Sequence, residues 1–314
     1  MISICFVPCN NGLGHIRRMA FLANKISNQN MKIFFFIEKK KQKKFKLHKN
    51  INKIYFKTNS LNYLSKIFQN RFLKTSDIIV SDNLIHKKFI LKKTVLFANF
   101  LWEEILKINK KNLKILKNKN IKIFSNYLFS NIKSKVNIKK VGFFDQYRSL
   151  KKSNAILIGT GSARSKLLKK FKKNITKIIK NNGFRKKKIY LDPSIYSEEL
   201  KKYSVFEASY SDKMYSQISF AMIKPGLGTI EECLKRGIPI IPVMGDENNE
   251  FKFNTEILKK KKLGFVFENP VEGVNFINKN FNNIIFLNKY KKRCKNLRWN
   301  GEKNLLIDLN KLTY

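Results

Sequence analysis

Three times in this chain a short apolar run ends at a glycine-bearing turn and gives way to a segment of helical period. Ile2 to Val7 runs into Asn10-Asn11-Gly12-Leu13-Gly14, Ala155 to Ile158 into Gly159-Thr160-Gly161-Ser162, and Phe220 to Ile223 into Pro225-Gly226-Leu227-Gly228. Apolar runs of this length suit inner strands of a parallel sheet, which is covered on both faces. Each unit therefore reads as strand, turn and crossover helix, and the chain as α/β. Ligands of such sheets bind beyond the carboxyl ends of the strands. There the first N–H groups of a helix are unpaired and lie at the positive end of its dipole, a setting that suits phosphate.

The third unit is the most informative. The helix expected after Gly226 carries Glu231 and Glu232, Gly237 closes it, Ile238 to Val243 reads as a second buried strand, and Glu250 and Asn254 follow on the next segment. A glycine turn alone is as often a tight turn as a phosphate site, whereas the extended pattern is far more specific. The first unit adds a histidine, in Gly12-Leu13-Gly14-His15-Ile16-Arg17-Arg18. Imidazole exchanges protons near neutral pH, so His15 is a candidate general base, weighed against a plain packed residue at the turn. Asp77 to Val80 is expected to form a strand ending at Ser81-Asp82-Asn83, which places Asp82 where it could assist His15 or touch a substrate. As a turn-forming residue it needs neither role. The turn at 159–162 lacks the lysine of a Walker-type loop, which argues against ATP hydrolysis of that kind. No acidic residue completes a dinucleotide fingerprint after the first turn, Glu38 being only a loose candidate.

These motifs resemble those of two-domain GT-B glycosyltransferases, above all the branch that adds N-acetylglucosamine to the lipid-linked peptidoglycan precursor. That branch carries Gly-Gly-x-Gly-Thr-x-x-Glu, then Gly-x-Pro and Glu-Gln-x-x-Asn. Here the chain reads Pro225-Gly226-Leu227-Gly228-Thr229-Ile230-Glu231-Glu232, Gly237-Ile238-Pro239 and Glu250-Phe251-Lys252-Phe253-Asn254. Pro225 stands for the first glycine and Phe251 for the glutamine. The first loop, through Gly12, Gly14, His15 and Arg18, is similar also to that of the nucleotide-sugar hydrolase of the pseudaminic acid pathway. The resemblance implies two Rossmann-like domains facing across a cleft, residues 1–148 for the acceptor and 149–314 for a nucleotide sugar. It implies Glu232 on the ribose hydroxyls, Gly161 and Ser162 facing the diphosphate, and Met214 in the loop around the base. Gly12, Gly14, Gly226, Gly228, Thr229, Glu250 and Asn254 complete the implied donor site, and His15 with Asp82 the catalytic pair.

Composition narrows the partners. Lys+Arg 66 against Asp+Glu 21 leaves a net charge of +45, which attracts anionic surfaces or records compositional drift in a chain crowded with Lys, Asn, Ile and Phe. The lysines run from Lys25 to Lys311 with no basic arm and no aromatic RNA-binding motif, so no specific nucleic-acid partner is expected. Cys5, Cys9, Cys233 and Cys294 form no CxxC pair and His15, His48 and His86 lie apart, so neither a metal nor a cofactor is expected. Met1 opens an apolar strand rather than a signal peptide, and no apolar run is long enough to span a bilayer. The expected location is cytoplasmic, with peripheral contact to an anionic inner membrane left open, for instance at the Phe100-Leu101-Trp102 edge.

The expected activity is metal-independent, inverting transfer of a sugar from a nucleotide donor, UDP-linked by resemblance, to a lipid-linked or cell-envelope polysaccharide acceptor. Two alternatives stand beside it: a hydrolase of the pseudaminic acid pathway type, with water as acceptor, and a non-catalytic nucleotide-sugar-binding module. Elsewhere, apolar spacing predicts helices over 61–72 and 102–116, strands at 121–124, 264–267 and 284–287, and terminal helices over 290–299 and 305–309. One of these last is expected to cross back to the first domain, as the tails of the resembled fold do.

Overall fold

The computed structural model describes residues 1–9, 13–56, 67, 69–97, 110–130, 136–148, 154–160, 166–244 and 249–313. Expectations at Gly12, at residues 61–66, at 98–109, at 149–153 and at Gly161 and Ser162 lie outside the described residues. The chain divides into two compact units, Met1–Phe144 with Asn300–Tyr314, and Asp145–Trp299.

The first unit holds a seven-stranded sheet in the order β3-β2-β1-β4-β5-β6-β7. Its strands are β1 (Ile2–Pro8), β2 (Met31–Glu38), β3 (Ile51–Phe56), β4 (Ile78–Asp82), β5 (Lys93–Phe97), β6 (Ile121–Asn126) and β7 (Ile138–Val141), and every pairing is parallel. Helix α1 (Leu13–Ile26) carries the chain from β1 to β2, and α2 (Arg71–Thr75) and α3 (Lys110–Leu116) follow. Strand residues alternate between two cores. Ile4, Phe6, Ile33, Phe35 and Val80 pack with Ile16, Met19, Leu22 and Ile26 of α1, while Cys5, Val7, Phe34, Phe36 and Ile79 pack on the opposite face. A strand that must fill both faces has no polar position to spare, which is why these runs are continuously apolar. Strand order reverses at β1 and β4, so the gap beyond their carboxyl ends is the topological switch point.

The second unit repeats the plan with β8 (Ala155–Gly159), β9 (Lys188–Leu191), β10 (Val205–Glu207), β11 (Ile218–Ile223) and β12 (Ile240–Pro242), ordered β10-β9-β8-β11-β12 and again all parallel. Its helices are α4 (Lys166–Lys180), α5 (Asp212–Tyr215), α6 (Leu227–Lys235), α7 (Asn249–Lys260), α8 (Pro270–Asn280) and α9 (Ile284–Lys295). The switch point here lies between β8 and β11. Gly237, with φ +66°, follows α6 as expected.

Two strand expectations fail. Residues 284–287 begin α9, where the Asn283 side chain accepts from Phe286 N–H. The apolar series continues at helical spacing to the buried Tyr290 and Cys294, so a four-residue run misread the period. Of residues 264–267 only Gly264 makes an isolated bridge, to Ile240. Helix α8 went unread, although Asn269 accepts from Glu272 N–H at its start and Pro270 opens it.

The terminal helix α10 (Gly301–Thr313) belongs to the first unit, whereas the sequence boundary at 148/149 left it with the second. Leu305 and Leu309 have no exposed surface and share a core with Phe97, Val141 and Phe144, and Lys139 Nζ donates to Asp308 Oδ2 at 2.6 Å. Gly301 N–H donates to Phe143 O at 2.6 Å, and a Cβ there would stand 2.1 Å from Gly142 O. Close backbone approach thus dictates glycine at the head of this helix. Leu305→Ala is expected to destabilise the first unit by roughly 2–5 kcal/mol. Hydrogen exchange checks it: amides of β1 to β6 should lose protection while those of β8 to β12 keep theirs, and equal loss in both units would contradict the assignment.

Candidate active site

Asp82 is the last residue of β4, not of the turn after it, and its side chain is fully buried. Its carbonyl accepts from Cys9 N–H at 3.0 Å. Asn83, at φ +59°, then turns the chain away. From α1, His15 and Arg18 stand one helical turn apart and converge on this carboxylate. His15 Nδ1 lies 3.0 Å from Asp82 Oδ1, and Arg18 Nη1 donates to Asp82 Oδ2 at 2.7 Å. The Arg18 guanidinium rests 4.6 Å from the Phe97 ring centroid and 5.7 Å from that of Phe144. A carboxylate only accepts, so the shared hydrogen sits on His15 Nδ1 and the lone pair on Nε2. The imidazole side chain is 13% exposed against none for Asp82. His15 therefore has an oriented ring and a partly exposed surface, a geometry suited to a general base. Gly14, half-buried, lies in the first turn of the same helix.

The second unit places its glycine turn at the end of β11. Gly226 is the N-cap residue of α6, with extended backbone and no side-chain cap, and among the described residues nothing lies within 4 Å of where a Cβ would be. Its carbonyl accepts from Thr229 N–H at 3.1 Å and Ile230 N–H at 3.0 Å, and the half-buried Gly228 and Thr229 lie in the same first turn, at the positive end of the helix dipole. Asn254 is fully buried; its Nδ2 donates to Pro225 O at 2.8 Å, while its Oδ1 has no hydrogen-bond partner among the described residues. The side chain fixes the turn from behind. Glu250 stands half-buried in the first turn of α7. Lys224, unmarked by the sequence motif, precedes the turn with its ammonium 4.7 Å from the Phe251 ring centroid. Phe251, in the place of the family's glutamine, is a seat for this cation.

Glu232 lies buried on the same helix. Its carboxylate takes Lys235 Nζ at 3.1 Å and Arg236 Nη1. Lys235 also reaches Asp145 at 3.2 Å, and Arg236 reaches Asp212 at 2.5 Å. Burial raises the Asp145 carboxyl, but the Gln146 N–H, Lys235 and Arg148 outweigh it and hold the group below its ordinary range. Met214 packs inward at 3% exposure, and its N–H donates to Ser211 Oγ. The side chain expected near a base is core.

A further cluster stands at the carboxyl ends of β8, β9 and β10. Tyr210 adopts φ +55°, left-handed backbone that a tyrosine rarely takes, and its hydroxyl donates to Asp192 Oδ2. Ser194 donates to Asp192 Oδ1 through N–H at 3.0 Å and Oγ at 2.7 Å. Ser194 Oγ also lies 2.9 Å from Thr160 Oγ1. A Cβ on Gly159 would stand 3.2 Å from the Tyr210 hydroxyl, so the strand ends in glycine where the phenol crosses it. Nothing in local sequence pattern marks these partners, which lie far apart along the chain.

No family model matches this chain, and no curated protein matches it in sequence. Solved structures do. Phytolacca americana UGT2 complexed with UDP-2fluoro-glucose and pterostilbene matches with TM-score 0.68 at 8% identity over 100% of both chains. Spinosyn forosaminyltransferase SpnP matches with TM-score 0.66 at 12% identity over 99% of both. MurG of Acinetobacter baumannii matches with TM-score 0.61 at 12% identity over 99% of this chain and 100% of that one. The likeness is one of architecture: the chain has the GT-B fold.

Proposed function

We propose that this protein is a glycosyltransferase that moves a sugar from a nucleotide diphosphate donor, UDP-linked, to a hydroxyl acceptor. The observation that carries the reading is the buried Asp82 carboxylate that orients His15 at the switch point of the first sheet. His15 Nε2 takes the proton of the acceptor hydroxyl as its oxygen attacks the anomeric carbon, and the imidazolium formed is stabilised by Asp82. Attack opposite the leaving diphosphate inverts the anomeric centre. The start of α6, where Gly226 gives no side-chain cap and Gly228 and Thr229 form the first turn, brings the positive end of a helix dipole that suits the charge growing on the diphosphate. Gly12, Gly161, Ser162 and Glu250 keep the donor-site roles that the motif resemblance implies, and this turn-based stabilisation is the basis for proposing metal-independent transfer. The motif resemblance to the branch that acts on the lipid-linked peptidoglycan precursor supports a lipid-linked or cell-envelope acceptor. No helix among the described residues is long and apolar enough to cross a membrane, and the net charge of +45 supports peripheral contact with an anionic membrane surface on its cytoplasmic side.

His15→Ala is expected to bind UDP nearly as the wild type does, because the donor is assigned mainly to the second unit, and to lose about 10²- to 10⁴-fold in turnover. Activity above about a tenth of wild type in a stable variant would remove His15 as the base. Acceptor-dependent release of UDP distinguishes transfer from hydrolysis, and release in water alone would favour the hydrolase. Glu232 is proposed to hold ribose hydroxyls while anchored by Lys235 and Arg236. Glu232→Ala should then lower the melting temperature, since it takes from the buried Lys235 and Arg236 the carboxylate they share and leaves them Asp145 and Asp212 respectively as carboxylate partners, and weaken UDP binding. Unchanged calorimetric affinity would refute the ribose contact, and unchanged melting would refute the structural duty.

A further inference from the structure

We propose that the chain of contacts Tyr210–Asp192–Ser194–Thr160 is a brace that fixes the spacing between two donor-reading segments, and so sets the affinity for a whole nucleoside diphosphate. The inference rests on the donor reading above and deepens it. One segment is the end of β8, where Gly159 and Thr160 precede the glycine turn. The other is the loop from Tyr210 into α5, which the motif resemblance implies lies around the base and where Ser211 caps the helix by accepting from Met214 N–H, Met214 itself packing inward. They belong to strands that are not neighbours, since β9 lies between β8 and β10.

The brace spans that gap with side chains. Asp192, just past β9 and nearly buried, donates its own N–H to Ile158 O at 2.9 Å, which keys it to β8. Its carboxylate then takes Ser194 on one oxygen and Tyr210 on the other. Ser194 continues to Thr160, which has no exposed surface. Burial, with the Asp192 carboxylate next, pushes the Tyr210 phenol well above its ordinary range, so it stays a donor throughout the physiological pH range. The left-handed backbone at Tyr210 is the bend that sends the ring back over Gly159. A backbone conformation this unfavourable persists where surrounding contacts over-determine it, and here those contacts lead to the turn end of β8.

The functional consequence is pre-organisation. A ligand that must touch two segments binds more tightly when they are already held apart at the right distance, because no ordering cost falls on binding. A ligand that touches one segment gains nothing. Breaking the brace should therefore weaken a nucleoside diphosphate far more than a nucleoside.

The test compares Tyr210→Phe with wild type, using UDP by calorimetry and uridine by NMR titration, with donor KM and kcat measured alongside. The expected result is UDP binding and donor KM worse by at least about tenfold, uridine binding and kcat within about threefold, and melting of the unliganded protein within a few degrees. That pattern separates bracing from general damage. Equal affinity for UDP in both proteins overturns the brace, as does parallel weakening of UDP and uridine. Wild-type protein that binds neither UDP nor another nucleoside diphosphate overturns the donor reading and the brace together. Should Tyr210→Phe fail to fold, Ser194→Ala, which cuts the same chain at its Thr160 end, is expected to show the same UDP-selective loss, and its absence overturns the proposal.

Discussion

A fully buried carboxylate at the end of β4 is the point on which the first unit turns. An isolated charge in that position would cost several kcal/mol, and it is tolerated because two nitrogen donors from one helix meet its two oxygens. The spacing of His15 and Arg18 on α1 makes this possible, since residues three apart on a helix point the same way. Helix α1 in turn is held in register by Ile16, Met19, Leu22 and Ile26 in the core beneath β1 and β2. Fold and site are thus one arrangement: the packing that seats α1 also delivers His15 and Arg18 to Asp82.

The second unit solves a different problem with the same topology. Its turn leads into a helix whose glycine N-cap gives no side-chain cap, with Asn254 donating to Pro225 O and the Lys224 ammonium beside the Phe251 ring. The buried ions of Glu232, Lys235 and Arg236, through the half-buried Asp145 and the exposed Asp212, then tie the far end of α6 to the start of the unit and to α5. On the proposed function the labour divides between them: proton transfer from the first unit, anion stabilisation from the second.

Much of this was legible in the chain because parallel strands announce themselves. The runs at β1, β8 and β11 are apolar throughout, the glycines mark their ends, and Gly237 stops α6 where the pattern says it should. Strand β7, reading Ile-Lys-Lys-Val, was hidden because it is an edge strand whose lysines reach Asp308, Ser125 and Ser130 instead of a core. The start of α9 was misread because four apolar residues fit either period until Tyr290 and Cys294 are counted with them. At the site, His15 and Asp82 followed from motif and strand-end position. Tyr210 with Asp192, 18 residues apart, carries no spacing rule, since only the sheet order brings the two together. The partners of Glu232 at i+3 and i+4 do obey a helical rule, and they show a carboxylate already engaged where the motif implies a ribose contact.

If Asp82 acts by orienting His15, Asp82→Asn should abolish that effect while leaving the donor site in place. Arg18 carries only donors and takes the amide oxygen, so the amide NH2 faces His15 Nδ1, which must then accept, and the ring hydrogen moves to Nε2, where it blocks the lone pair. Turnover of a UDP-linked sugar by this variant, measured beside calorimetric binding of UDP, should fall by two or more orders of magnitude with UDP affinity unchanged. Turnover near the wild-type rate, or a loss of UDP binding that accounts for the loss of activity, would contradict the account.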